Sequence, residues 1–508
     1  MGGNLCAVYD FELMPYALGD VLTWNVQTAI RCEEAGRERV DAYICLDERF
    51  PSSLYQRDLV TAENCGLFFS ELFGAFGTHP RLGNLLVYRR RDEMLEKLRA
   101  VAAGDATDSE VLADYEQALR ERDDDDALIR YFTKHGHSHE RINAFAARHG
   151  WIPLLRPSLG CEPDVAGLIA ARLASRRIVP IHVRLRRLDA GYGGGHTYAR
   201  DSDFLEWFEF LREAQTKHPD VQFVLLGRLQ EKPLELLKLP NVMSLRTLGL
   251  GLGHELTLML HSDLFLGTSS GFAAMANFSG IPYFITRMTE ASCKAYGIEP
   301  GSERLPFATE RQILIYEPET TELLMRLLER GIQDATPRNR GSGPWLDPEI
   351  DVRSWEWERS TWLHRGATTF RFSMNEVYVR KETAFVLWPK VREALEAWRA
   401  GRKDQGWNLL RRIERNFPQV CAGFPEFLRV MGRLAAQRGD TATRCRCSAQ
   451  LARLAEQKRG GALIKRWVGR FLARGYPLAM RLKHGWKRRH RIPRKLTQAL
   501  RRLVVGQQ

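Results

Sequence analysis

At 508 residues, 44% hydrophobic and 27% charged, the chain has the composition of a globular protein of two or three domains, which excludes disordered and fibrous classes. Its net charge of +13 looks like that of a nucleic-acid binder, yet 14 of the 75 Lys and Arg residues lie in 461–508, a stretch without Asp or Glu. The rest of the chain holds 61 basic residues against 62 acidic ones, so the body is close to neutral and no nucleic-acid partner is expected.

The N-terminal region opens with an apolar strand over 5–11 and the turn Pro15-Tyr16-Ala17-Leu18-Gly19-Asp20. A helix follows from about Val21 to Glu34, with Leu22, Val26, Ala29 and Ile30 on one face at helical spacing. Gly36 ends it and 40–46 supplies the next strand, a βαβ start. From 90 to 148 the sequence reads as charged helices, interrupted by a solvated turn at Asp123-Asp124-Asp125-Asp126 and by His135-Gly136-His137-Ser138-His139. No Cys or paired carboxylate flanks these histidines, so no metal is expected there. A connector with Pro153, Pro157, Gly160 and Pro163 separates a first α/β domain, 1–165, from a second, 175–331.

The second domain begins with a β-branched run from Ile178 that ends in Arg184-Leu185-Arg186-Arg187, followed by the loop Gly191-Tyr192-Gly193-Gly194-Gly195. A second strand over 221–226 closes on Gly227-Arg228, and a third runs through Gly267-Thr268-Ser269-Ser270-Gly271 into a helix. Repeated strand, turn, helix units predict a parallel sheet covered by helices, whose ligands bind at the carboxyl ends of the strands. The 23 uncharged residues from Leu264 to Thr286 are long enough to span a bilayer. Their internal Thr268-Ser269-Ser270-Gly271, Asn277, Ser279-Gly280 and Pro282 predict strand, loop, helix, strand instead. Gly249 to Gly253 alternate with leucine but lack the strand-to-helix context of a dinucleotide fingerprint.

Residues 332–388 read as a linker and return segment, rich in Pro, Gly and Arg before Trp355, Trp357 and Trp362. Helical pairs over 389–458 resemble tetratricopeptide-type hairpins, a module that would bind a protein partner or pack on the body. In the basic tail, 461–508, Leu463, Ile464, Trp467, Val468, Phe471 and Leu472 share one helical face, with Lys465, Arg466, Arg470 and Arg474 mostly off it. That is the pattern of an interfacial helix, here placed on an anionic membrane through Trp467, Arg470 and Phe471. Each nearby cation would add about 1 kcal/mol. Nine cysteines with one close pair, Cys445-x-Cys447, and no secretory pattern over the first ten residues lead us to expect a reducing, cytoplasmic setting at the inner membrane face.

Guanidinium groups at Arg184, Arg186 and Arg187 can fork onto a diphosphate. The amides and dipole of a helix opened by Ser269-Ser270-Gly271 would hold a second phosphate oxygen. With Gly227, Arg228 and Thr268 at neighbouring strand ends, these make a donor-side set, and Tyr192, Gly193 and Gly194 a loop over it. The set demands neither metal nor cofactor.

Leu18-Gly19-Asp20-Val21-Leu22-Thr23, between a strand and a helix, resembles the N-terminal motif of heptosyltransferase-type enzymes, in which a Gly-Asp-Val/Ile turn supplies the catalytic carboxylate. Phe265 to Phe272, followed by Gly280-Ile281-Pro282, is similar to the nucleotide-sugar loop and helix of the same GT-B glycosyltransferases. Ile181-His182-Val183-Arg184 is similar to the His-x-Arg motif of GT-B fucosyltransferases, whose arginine contacts the donor pyrophosphate. The resemblance covers about 1–330. It departs at Ser269 and Ala274, near the places where heptosyltransferases commonly carry Asp and His.

The resemblance implies an α/β protein with two Rossmann-like domains followed by an α-helical C-terminal region. It implies inverting, metal-independent transfer from a nucleotide-diphosphate sugar to a glycan or lipid-linked acceptor in envelope polysaccharide synthesis. Asp20 would be the general base, and Arg184 with the amides of Ser270 and Gly271 would stabilise the departing diphosphate. Asp20 serves equally well as a helix N-cap, and Asp10 and Glu12 stand in reserve. Rival readings are a non-catalytic glycosyltransferase-like scaffold and a sugar-nucleotide epimerase or hydrolase.

Overall fold

The computed structural model describes residues 4–52, 56, 60–137, 139–185, 199–228, 232–333 and 373–456. Arg186, the loop with Tyr192, Gly193 and Gly194, most of the 332–388 segment, and the tail with Trp467, Arg470 and Phe471 lie outside the described residues. The chain divides into two compact units, Met1–Pro389 and Lys390–Gln508.

The first unit begins with β1 (Leu5–Asp10), α1 (Leu18–Glu34), β2 (Val40–Cys45), α2 (Cys65–Phe76) and β3 (Leu82–Tyr88). The strands form a parallel sheet in that order, with Leu5 opposite Val40 and Asp10 opposite Cys45. Every residue of β1 is buried, as expected of a strand covered on both faces. Its Tyr9 packs edge-on against Trp24 of α1 and Phe76 of α2, with ring centroids 5.5 and 5.1 Å away. Four helices follow: α3 (Arg91–Ala102), α4 (Ala106–Arg120), α5 (Asp125–His135) and α6 (His139–His149). The aspartate run is more than a solvated turn, because Asp124 caps α5 by accepting from the amides of Asp126 and Ala127 at 2.9 and 3.3 Å.

After α7 (Glu162–Leu168) comes a second sheet, built from β4 (Arg177–His182), α8 (Phe204–Lys217), β5 (Val221–Leu225), α9 (Leu234–Leu237), β6 (Val242–Met243), α10 (Leu252–Leu260), β7 (Phe265–Thr268), α11 (Gly271–Asn277), β8 (Tyr283–Thr286), α12 (Glu290–Ala295) and β9 (Gln312–Leu314). α13 (Thr321–Gln333) closes it. All six strands are parallel, in the order β6-β5-β4-β7-β8-β9. Counted from β4 this is the doubly wound order 3-2-1-4-5-6, whose switch point falls between β4 and β7. The long uncharged run is β7, α11 and β8, and no helix among the described residues is long and apolar enough to cross a membrane. β4 stops at His182, short of the arginine cluster, because Arg184 turns aside to exchange bonds with Ser202.

The two sheet-bearing halves meet through glycines. A β-carbon placed on Gly74 of α2 would lie 2.6 Å from the amide nitrogen of Gly253 in α10, and one on Gly19 of α1 would touch Gly271 of α11 at 3.5 Å. Arg246 spans the same contact, bound to Glu71 of α2 at 2.8 Å and to the fully buried Glu255 of α10 at 2.9 Å. Between the halves, Ser158 donates through its hydroxyl to the Gly74 carbonyl and through its amide to Thr257. Within the first unit, the Thr383 hydroxyl of α14 (Ser373–Arg399) donates to Glu235 at 2.7 Å.

The described part of the second unit is helical, with α15 (Lys403–Asn416), α16 (Pro418–Ala422), α17 (Pro425–Arg438) and a further helical stretch over 441–456. Leu410, Ile413, Phe417, Met431 and Leu434 are buried in it. Arg438 to Asp404 and Arg446 to Glu414 staple neighbouring helices at 2.6 and 2.7 Å.

Candidate active site

At the switch point, the Ser270 hydroxyl lies 2.9 Å from Nδ1 of His182, the last residue of β4. Burial, and next the charges of Lys232 and Arg184, push the His182 imidazole well below its usual range, so this ring is neutral. Ser270 stands at the N-cap of α11 in an extended conformation and caps no amide with its side chain, leaving the first-turn N–H groups to other partners. Ser270 and Gly271 are half-buried. Thr268 and Ser269 point inward, the latter with its hydroxyl 3.3 Å from the Tyr296 phenol, and so shape the turn from behind.

Arg184 is paired with Asp201 at 2.9 Å and keeps 16% of its side chain exposed. Gly227 follows β5 with a left-handed backbone, φ 101°, which requires glycine. Its amide donates to Glu255 at 3.0 Å, and a β-carbon there would press to 3.2 Å on Lys232. Lys232 is itself buried, donating to the Val183 carbonyl at 2.8 Å. The Arg228 guanidinium reaches across to α2, 5.5 Å over the Phe68 ring and 3.9 Å from Glu71.

Asp20 enters from the other half. α1 starts at Leu18, earlier than the sequence pattern suggests, and the N-cap position falls on Ala17, whose methyl group caps no amide. Asp20 is therefore a first-turn residue rather than the cap. Its carboxylate is 20% exposed and lies 2.8 Å from Nδ1 of His137. The first turns of α1 and α11 abut, since a β-carbon on Gly271 would lie 2.8 Å from Leu18 Cβ and 3.1 Å from the Gly19 amide nitrogen. The structure thus brings Asp20 and the Ser270-Gly271 turn, distant in sequence, to one place.

The reserve carboxylates are tied into the body. Asp10 accepts from Arg91 at 2.7 Å and from the Tyr115 hydroxyl at 2.6 Å. Glu12 pairs with Arg91 at 2.5 Å, while burial raises its carboxyl despite that cation. The histidine triplet diverges: His135 pairs with Asp114 at 3.0 Å, His137 with Asp20, and His139 packs on Phe278. No group of three His, Cys, Asp or Glu suited to a metal occurs among the described residues. Lys232 and the Glu71–Arg246 pair are missing from the sequence reading, and His137 enters it only within a histidine alternation for which no metal is expected.

Chemically, a carboxylate able to take a proton sits in a helix turn that abuts a second turn whose amides, with nearby guanidinium groups, can hold an anion. No family model matches the chain, and no curated protein matches it. It is similar to solved structures, among them ADP-heptose lps heptosyltransferase II of E. coli, at 12% identity over 65% of this chain and 98% of that one, with a TM-score of 0.37. A glycosyl transferase family 9 protein of Veillonella parvula matches at 11% identity over 64% and 97%, TM-score 0.36. A Listeria monocytogenes protein described as a UDP-N-acetylglucosamine 2-epimerase matches at 9% identity over 65% and 89%, TM-score 0.33. These scores are low, and the functional reading rests on the chain's own residues.

Proposed function

We propose that this chain is a GT-B glycosyltransferase, its two sheets being the two Rossmann-like domains, that transfers a sugar from a nucleotide-diphosphate donor to a glycan or lipid-linked acceptor. The observation that carries this reading is the meeting of the Asp20 turn of α1 with the Ser270-Gly271 turn of α11, at the switch point of the doubly wound sheet. The acceptor hydroxyl gives its proton to Asp20 while its oxygen bonds to the sugar's anomeric carbon. The bond from that carbon to the diphosphate breaks on the opposite face, with inversion, and the electron pair leaves on the diphosphate. Arg184, Arg228 and the Ser270 and Gly271 amides offset that charge without a metal, close to Gly227, Thr268 and Ser269. Arg186 and the loop at Tyr192, Gly193 and Gly194 complete the donor side in this reading.

The test is a calorimetric titration of the full chain with a panel of nucleoside diphosphates, followed by product analysis with and without acceptor. Binding of at least one diphosphate is expected. No binding by any of them leaves the scaffold reading, and turnover of donor without acceptor points to an epimerase or hydrolase. The tail belongs to the same reading as a support on anionic membrane through Trp467, Arg470 and Phe471. A chain lacking 461–508 should no longer co-sediment with vesicles of phosphatidylserine, and retained sedimentation excludes that role.

A further inference from the structure

His137 is held in place from several sides. Its amide donates to the Phe132 carbonyl at 3.0 Å, beyond the end of α5. Its ring stacks on Phe132 with centroids 5.6 Å apart and planes 12° from parallel, and meets the edge of His139 at 5.4 Å. His139 in turn lies against Phe278 and Tyr296 of the other half, at 5.5 and 5.0 Å. α6 is fastened there by Asn143, whose side-chain amide donates to the Tyr296 and Gly297 carbonyls. An imidazole fixed this way presents Nδ1 to one oxygen of Asp20 at 2.8 Å.

A polar group set against one oxygen of a carboxylate orients it and leaves the other oxygen to a substrate. We infer that His137 is a positioning residue for Asp20: Nδ1, 2.8 Å from Oδ1, fixes how the carboxylate is turned and leaves Oδ2 to the acceptor hydroxyl. This rests on the transfer reading above. The ionisable groups around the pair are Tyr9 of β1, a buried phenol raised by burial and next by the charge of Asp20, and His139, with Tyr296 beyond it. Burial, and next the charge of His137, push His139 down to about 3, so it adds no charge of its own near neutrality. Burial lowers the His137 imidazole, but the adjoining Asp20 carboxylate more than offsets it and holds the ring above the usual value.

Two measurements test this. The first follows the His137 ring by proton NMR across pH in the wild-type full chain and in Asp20→Asn. Its midpoint should lie above the ordinary value in the wild type and fall in the variant; an unchanged midpoint overturns the pairing without reference to activity. The second compares the kinetics of transfer. His137→Ala should lower kcat by about 10²-fold, with KM for the nucleotide sugar unchanged. His137→Asn places an amide N–H where Nδ1 was and should restore most of kcat, whereas His137→Gln, reaching the Nε2 position, should not. Equal behaviour of Asn and Gln overturns the inference, including where the Ala variant does not fold. Wild-type turnover by Asp20→Asn removes the base assignment instead, which keeps the two failures distinct.

Discussion

Asp20→Asn is expected to lower sugar transfer by about 10²–10⁴-fold, the range of a lost general base, while leaving calorimetric affinity for the nucleoside diphosphate unchanged. The substitution is nearly isosteric. It keeps an oxygen for the His137 Nδ1 contact at 2.8 Å and removes the capacity to take a proton. Because Asp20 is a first-turn residue whose N-cap is Ala17, its replacement deletes no side-chain cap, and the fold should melt near the wild-type temperature. A small loss follows from the helix dipole, about 0.3–1 kcal/mol for one first-turn charge. Such a loss is far too small to mimic the kinetic effect. Transfer at wild-type rate by the purified variant excludes Asp20 as the base and returns attention to the donor turn alone.

What could be read from the sequence was local. The β-branched runs at 178–182 and 221–225, and the apolar run into Thr268-Ser269-Ser270-Gly271, declare strands and turns because fully buried parallel strands need continuous apolar residues. Periodicity alone places Leu22, Val26, Ala29 and Ile30 on one helix, and all four are buried. The beginning of that helix could not be read. Ala17 carries no capping signal, and three residues of shift decide whether Asp20 is a cap or a first-turn carboxylate. Pairing across the chain was equally hidden. His137 meets Asp20, and Arg246 meets Glu71, only because the two halves fold onto each other. Arg184, obvious as a cation, proved to be held by Asp201, a partner beyond the glycine loop.

Gly74→Ala should destabilise the first unit, although alanine is the better helix former by about 1 kcal/mol. The sign reverses because of what the new methyl meets. It would lie 2.6 Å from the Gly253 amide nitrogen and 2.7 Å from the Gly253 Cα, backbone atoms that cannot rotate aside. α2 must move away from α10, and two bonds that cross or bracket this contact lengthen with it, Arg246 to Glu71 at 2.8 Å and Ser158 Oγ to the Gly74 carbonyl at 2.7 Å. Overpacking of this kind costs about 1–3 kcal/mol, and weakening the Arg246–Glu71 bond of an arginine whose other carboxylate, Glu255, is fully buried adds to it. Thermal melting should show a Tm several degrees below wild type. Gly167→Ala is the control, since nothing lies within 4 Å of its added carbon and α7 continues through it; there the helix preference should prevail and Tm should hold or rise. An unchanged Tm in Gly74→Ala would mean that the halves separate without cost at this contact. The meeting of Asp20 with Ser270-Gly271, which depends on the same docking, would then lose its structural support.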